Sequence, residues 1–282
     1  MNTVEVLSAG LYSSIQDRGR KGYRSFGVPF SGAMDQLSAD LGNSILGNSV
    51  DSPLLEITMT GPKLLFNQRA IICITGADLS AKIENNPIKT NVPVTIQKGE
   101  VLSFGKLVYG LRAYICIKGG FVSNKTLGSH STYEKAGLGG AVLKKGTILS
   151  YNSNSDSWPN TKSRIKPDKL FFEKNIIPVT PGPEYNLIGK EFFDLSFEIN
   201  VDSNRMGYRL SADNQFVHQK SILTSTVMPG TVQLPPSGHP VVLMRDCQTT
   251  GGYPRVLQVS ELGINMLAQK KPGDRIKFQI ES

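Results

Sequence analysis

The chain has 282 residues, with 28 Gly, 16 Pro, 39% hydrophobic and 19% charged positions. That is long enough to bury a core without disulfides and too rich in turn formers for a helical bundle or coiled coil. The formal net charge of +8, from 31 Lys and Arg against 23 Asp and Glu, is scattered. The densest pairs, Lys144-Lys145 and Lys270-Lys271, stand beside glycine turns, where exposed lysines are ordinary. No helix-turn-helix spacing, zinc finger or arginine-rich arm is present, so nucleic acid is not an expected partner and anionic small molecules stay open. The three cysteines, Cys73, Cys116 and Cys247, include no Cys-x-x-Cys pair. They suggest neither a disulfide framework nor a zinc site, and no other cluster has metal-ligand spacing. This fits a reducing cytoplasm. Residues 1–6 lack the basic start and apolar run of a signal peptide, and the apolar runs 70–74 and 241–244 are far too short to span a bilayer. The expectation is a cytoplasmic protein with no membrane partner.

In chain order, the first predicted element is a helix over 32–46. Leu37, Leu41 and Ile45 form one stripe, with Ser31 as N-cap and Gly47 as the stop. Glu56 sits inside the apolar run Leu54-Leu55-Glu56-Ile57, so it either faces solvent or is buried with a partner. Short β-branched or aromatic stretches at 71–75, 92–96, 101–104 and 111–117 read as strands, as does 241–244. Residues 98–104, 145–151 and 272–278 share one pattern, a glycine turn feeding a strand that alternates its faces. Residues 152–169 are polar and Pro-containing and read as a linker or long loop. They separate an N-terminal domain over 1–151 from a C-terminal one over 170–282. Ser260 caps a last helix reaching Gln269, with Leu262 and Met266 on one face and Pro272-Gly273 as the stop. The whole reads as mainly β, two hairpin-built antiparallel barrels with a few short helices.

Five stretches carry polar groups suited to a site. Asp17, Arg18 and Arg20 form either a pocket for a carboxylate or amide, or a hairpin loop with an internal ion pair. Residues 27–35 end in Asp35 at a helix start, whose N–H groups suit an anion or simple capping. Residues 118–132 place Ser129, His130 and Ser131 beside glycines. Gly119 to Thr126 imitates a Walker A loop, but Asn124 replaces its second glycine. Arg205 and Arg209 flank Met206-Gly207-Tyr208 and are candidate anion clamps or solvated turn residues. Gln248, Thr249 and Thr250 follow an apolar strand and precede Gly251-Gly252, which reads as a ligand loop or a tight hairpin. Cys247 has no assignable histidine partner to act as a nucleophile.

Taken together, the motifs Gln16-Asp17-Arg18-Gly19-Arg20, Gly27-Val28-Pro29, Ser31-Gly32-Ala33-Met34-Asp35, Ser203-Asn204-Arg205-Met206-Gly207-Tyr208-Arg209-Leu210 and Gln248-Thr249-Thr250-Gly251-Gly252-Tyr253-Pro254 resemble the biotin-dependent carboxyltransferase family. That family includes the C subunits of 5-oxoprolinases and the allophanate hydrolase subunit 2-like part of urea carboxylases. The resemblance implies two cyclophilin-like β-barrels. It also implies one component of a hydrolase, inactive alone, that works with B-like and A-like 5-oxoprolinase partners to open 5-oxoproline to L-glutamate at a composite site. ATP enters at the level of the complex, where phosphorylation of the amide oxygen makes a poor electrophile reactive toward water. Substrate-binding roles are expected for Arg205, Arg209, Gln248, Thr249, Thr250, Asp17, Arg20 and Asp35, while the catalytic residues stay unassigned. The family also admits two alternatives. One is a carboxyltransferase half moving carboxyl from carboxybiotin to a small amide such as urea, which brings in biotin as cofactor. The other is a regulatory partner of a kinase inhibitor. His130 and Lys125 depart from the family's pattern in their loop.

Overall fold

A computed structural model describes residues 2–152 and 168–281 of the chain. These residues group into two compact units, Met1–Gly19 with Asp35–Phe172, and Arg20–Met34 with Glu173–Ser282. The segment Arg20–Met34 thus belongs with the C-terminal unit, which a division into contiguous stretches does not contain. Of the linker read at 152–169, residues 153–167 lie outside the described residues.

The first unit is two sheets over one apolar core. One sheet runs in the order Phe121–Val122, Ile148–Tyr151, Asn2–Ser8, Lys63–Phe66, Val101–Ser103, Lys82–Ile83 and Asn86–Pro87. The other runs Tyr12–Gln16, Leu54–Thr58, Tyr109–Ile117, Ala70–Asp78 and Pro93–Ile96. Alternation along each strand selects the core side. Val4, Val6, Leu64 and Phe66 of the first sheet share one cluster with Ile15, Ile57, Ile72, Ile74 and Ile115 of the second.

The opposite face of the second sheet is also buried, yet polar. Ser14, Glu56, Tyr114 and Thr75 are direct neighbours across four strands, and all are inaccessible to solvent. This overturns the solvent-facing alternative for Glu56. Its carboxylate lies 3.9 Å from Arg112 Nε, as a charge withdrawn from water requires. Tyr114 keeps its proton, because burial and the neighbouring Glu56 and Asp35 push its pKa well up.

Helix α1 (Gln36–Ile45) packs on strands Ala70–Asp78 and Tyr109–Ile117. It starts later than its sequence suggests, because Ser31 and Gly32 hold φ of 55° and 91°, a left-handed geometry that cannot open a right-handed helix. Asp35 is the cap instead of Ser31, its Oδ1 accepting from Ser38 N at 3.0 Å. The buried face is Ser38, Ala39, Gly42 and Asn43, while Leu37 of the expected apolar stripe is 52% exposed. Small residues are needed there, since a Cβ on Gly42 would fall 2.6 Å from Cys116 Sγ. Cys116 is the direct cross-strand neighbour of Cys73. Both are buried free thiols, and burial pushes Cys73 up to about 12.

After a short helix α2 (Lys169–Glu173) the second unit forms a closed seven-stranded barrel. Its order is Ile176–Pro181, Arg255–Val259, Thr231–Gln233, Val241–Leu243, Gly207–Ser211, Phe197–Ile199 and Arg275–Ile280. The ring closes where the first and last of these pair in parallel. Phe192, Phe197 and Phe278 pack with ring centroids 4.9 to 5.9 Å apart, an aromatic core suited to a small barrel.

Helix α3 (Glu261–Leu267) is capped by Ser260 as its sequence predicts, with Gly263 N donating to Ser260 Oγ at 3.2 Å. Met266 is buried but Leu262 is half exposed, so these two do not share the packed face. Lys270 is likewise not an ordinary exposed lysine. It is buried, and its Nζ donates to Asn175 Oδ1 at 2.9 Å. The predicted strands appear at Ala70–Asp78, Pro93–Ile96, Val101–Ser103, Tyr109–Ile117 and Val241–Leu243. The three glycine turns hold Gly99, Gly146 and Gly273 at φ of 87°, 83° and 86°. The fold is mainly β, with three α-helices among the described residues.

Candidate functional site

The segment Arg20–Met34 is strapped to the barrel of its unit by backbone groups. Ser31 N donates to Arg245 O at 2.9 Å, Arg205 Nη2 donates to Gly32 O at 2.7 Å, and Arg245 Nε donates to Met34 O at 3.4 Å. A short turn of 3-10 helix, Arg24–Phe26, ends at Gly27 in the left-handed region, where glycine carries no Cβ penalty. This turn sets Arg24 against the barrel, with Nη2 donating to the carbonyl of Val227.

Arg24 lines a cleft of about 520 Å³ in the second unit. The other walls come from strand Arg255–Val259, from Thr231, from Gly182 and Pro183, and from the ribbon pairing Ser225–Thr226 with Thr250–Gly251. Arg255 is fully engaged. Its Nε and Nη2 donate to the two carboxylate oxygens of Glu184, both at 3.1 Å, and its Nη1 donates to Ser225 Oγ at 2.8 Å. The fork holds Glu184 below the usual carboxylate range. Thr231 Oγ1 is equally spoken for, donating to Gln258 Oε1 at 3.0 Å while accepting from Met228 N at 3.1 Å.

Other residues that line the cleft are less fully paired. Arg24 has no carboxylate partner among the described residues, and its buried Nη1 makes no hydrogen bond. The hydroxyls of Thr226, Thr249 and Thr250, three lining residues, likewise form no hydrogen bond within the described protein. Cys247 lies beside Arg24 but remains a thiol, because burial pushes it up to about 11 against the pull of the guanidinium. It is no nucleophile at neutral pH.

Of the sequence candidates, Thr249 and Thr250 line this cleft. Gln248 is exposed next to them, its Nε2 donating to Gln233 Oε1 at 3.4 Å. Arg205 is committed elsewhere, clamping Asp246 through Nε at 2.8 Å and Nη2 at 3.1 Å. Arg209 is exposed and pairs with Asp202 at 2.8 Å. Arg20 is buried, with its backbone N donating to Phe30 O at 2.6 Å.

Asp17 and Asp35 belong to the first unit. Asp17 accepts from Gly19 N at 2.8 Å, Ser129 Oγ at 2.7 Å, His130 N at 2.6 Å and also Ser131 Oγ. The His130 ring stands 3.1 Å from Ser123 Oγ. Asp35 is the cap of α1. The sequence reading missed Arg24 and Arg255, which stand just past the ends of motifs it singled out, four residues after Arg20 and one after Pro254. Their adjacency to those glycine-rich loops was the available signal. Residues 119–126 hold strand Phe121–Val122 and a Thr126–Ser129 bridge and lead into no α-helix, so they do not fit the phosphate cradle of a Walker A loop. No group of side chains among the described residues is arranged to hold a metal, and no described helix is long and apolar enough to cross a membrane.

The sequence and its strand-rich fold match a known class. The family model described as "Carboxyltransferase domain, subdomain A and B" covers residues 26–280, and the chain belongs to that family. It is 32% identical to the C subunit of the Haemophilus influenzae 5-oxoprolinase, over 99% of this chain and 91% of that protein. It is 33% identical to the C subunit of the Escherichia coli 5-oxoprolinase, over 98% and 90%. The crystal structure of Kluyveromyces lactis urea carboxylase aligns at a TM-score of 0.88 and 32% identity, over 99% of this chain but 27% of that one. Against a further solved relative, at 27% identity and a TM-score of 0.88, the chain spans about half, 55%, of its length.

Proposed function

We propose that this chain is the C component of an ATP-dependent 5-oxoprolinase, which opens 5-oxoproline to L-glutamate at a site completed by B-like and A-like partners. The observation that carries the reading is length as well as likeness. The two 5-oxoprolinase C subunits are matched over 91% and 90% of their own chains, whereas the urea carboxylase contains this fold as one part among others. ATP enters at the level of the complex in this reading, and residues 119–126 are not its cradle, since they lack the strand-loop-helix arrangement that holds phosphates. The chain's own contribution is the cleft of its second unit, which holds and orients one end of the substrate. Three buried free thiols suit the reducing cytoplasm in which such a complex would work.

The test is ATP hydrolysis dependent on 5-oxoproline, measured with this chain alone, with a B-like partner, and with both partners. Turnover confined to the three-part mixture is the expected result. The shared carboxyltransferase family and the urea carboxylase likeness favour one other reading, transfer of carboxyl from carboxybiotin to a small amide. A three-part mixture that ignores 5-oxoproline, while a biotin carrier protein and biotin carboxylase restore turnover of urea, would replace the first reading with this second one. A stable complex without turnover on either substrate would leave the regulatory role.

A further inference from the structure

The cleft of the second unit is charged in an unbalanced way. One of its two arginines, Arg255, is neutralised by the fork onto Glu184. The other, Arg24, has only the carbonyl of Val227 and a thiol that stays protonated. It lines the cleft with no acid opposite it, and a guanidinium drawn into the protein without a counter-charge is costly unless something else supplies one. The hydroxyls of Thr226, Thr249 and Thr250 on the same walls are free to turn toward a ligand. The remaining lining includes Pro183, Met228 and Leu257, which are apolar. One uncompensated cation, several free hydroxyls and an apolar wall describe a receptor for a small body bearing a single negative charge.

We propose that Arg24 and the hydroxyls of Thr226, Thr249 and Thr250 bind the carboxylate of the substrate, so that the cleft selects a small cyclic amide acid such as 5-oxoproline over a neutral amide such as urea. This deepens the oxoprolinase reading and rests on it for the identity of the ligand. The anion site itself rests on the geometry. Arg24 supplies the charge, the threonines supply hydrogen bonds that fix the carboxylate's orientation, and the apolar wall takes the ring. A lactam without the carboxylate meets the same wall but leaves Arg24 uncompensated, and so gains little from binding.

The experiment compares 5-oxoproline, 2-pyrrolidinone and urea as ligands, by calorimetry on the full chain and by steady-state kinetics on the three-part complex. It uses the wild type, Arg24→Gln, Arg24→Lys and the exposed-wall variant Thr249→Val/Thr250→Val, each checked for native circular dichroism. For wild type, 5-oxoproline is expected to bind and the two neutral amides to bind far more weakly. Arg24→Gln is expected to raise the Kd or KM for 5-oxoproline about tenfold to hundredfold, the scale of one lost charge-assisted contact. kcat should change little, and Arg24→Lys should recover part of the loss. The threonine double variant should show a smaller increase, which keeps the test open should an arginine variant fail to fold.

Equal affinity for 5-oxoproline and 2-pyrrolidinone, or an unchanged KM in folded Arg24→Gln and the threonine variant, overturns the proposal while a working three-part enzyme preserves the oxoprolinase reading. Arg24-dependent binding of 5-oxoproline to a chain whose three-part mixture hydrolyses no ATP does the reverse, keeping the anion site and removing the enzyme assignment.

Discussion

Asp17 in the first unit and Arg24 in the second are each a charge placed at a turn, and they are treated oppositely. The Asp17 carboxylate is surrounded by four donors, two backbone N–H groups and two serine hydroxyls. The polar row of Ser14, Glu56, Tyr114 and Thr75 in the same unit is fully buried. Arg24 has no acid, keeps an unused donor, and stands on the wall of an open cleft. Polar groups that close on one another hold a loop in place, while polar groups left open wait for something to bind. The difference separates residues whose substitution should unfold a unit from residues whose substitution should empty a site.

The largest expected effect tests the closed side of that contrast within the second unit. Arg205→Ala leaves Asp246 buried without its fork, and should cost about 3–5 kcal/mol in urea denaturation. A loss of activity at unchanged stability would return Arg205 to the role of anion clamp that its motif suggests. Asp17→Asn comes next, at about 2 kcal/mol, because an amide oxygen replaces a carboxylate facing charge-assisted donors. Thermal denaturation of the variant measures it, and a neutral result would mean that the donors re-pair locally.

A smaller effect is readable by pH. Glu184 is held below its ordinary range by Arg255, so the pair adds stability that is fully present above the unfolded carboxylate pKa and is lost as pH falls through the depressed folded value. Tm measured from neutral to acid pH should fall more steeply for wild type than for Glu184→Gln. Parallel curves would mean that the fork contributes nothing. The smallest effect belongs to Arg209→Ala. Both partners of its ion pair are more than half exposed, and stability should stay within about 0.5 kcal/mol.

The strands were legible because each carries β-branched or aromatic residues between glycine or proline stops, as 111–117 does. The three glycine turns were legible because a repeated local pattern demands the same left-handed geometry each time. The start of α1 was not, since Pro29 and Ser31 imitate a helix opening and only the backbone reveals Ser31 and Gly32 in a conformation that forbids it. Its packed face was also hidden. Close approach to Cys116 selects small residues, and that requirement outweighs the leucine stripe. Of the residues lining the cleft, Thr249 and Thr250 could be picked out because their hydroxyls stand just before paired glycines. Arg205 and Arg209 looked equivalent in sequence, yet one is buried against Asp246 and the Gly32 carbonyl and the other lies in water. Arg209 meets Asp202 within its own turn, whereas the acid opposite Arg205 is Asp246, 41 residues on, and no local pattern encodes that pairing.

The grouping of Arg20–Met34 with Glu173–Ser282 means that the polypeptide passes between units at three places. A cut made in the stretch 153–167 would therefore strand the arm that carries Arg24 on the wrong fragment. The C-terminal fragment would lose one wall of its own cleft along with the straps to Arg205 and Arg245. During synthesis the same arm emerges from the ribosome long before the barrel that receives it, so the second unit cannot be finished until the whole chain between them has been made.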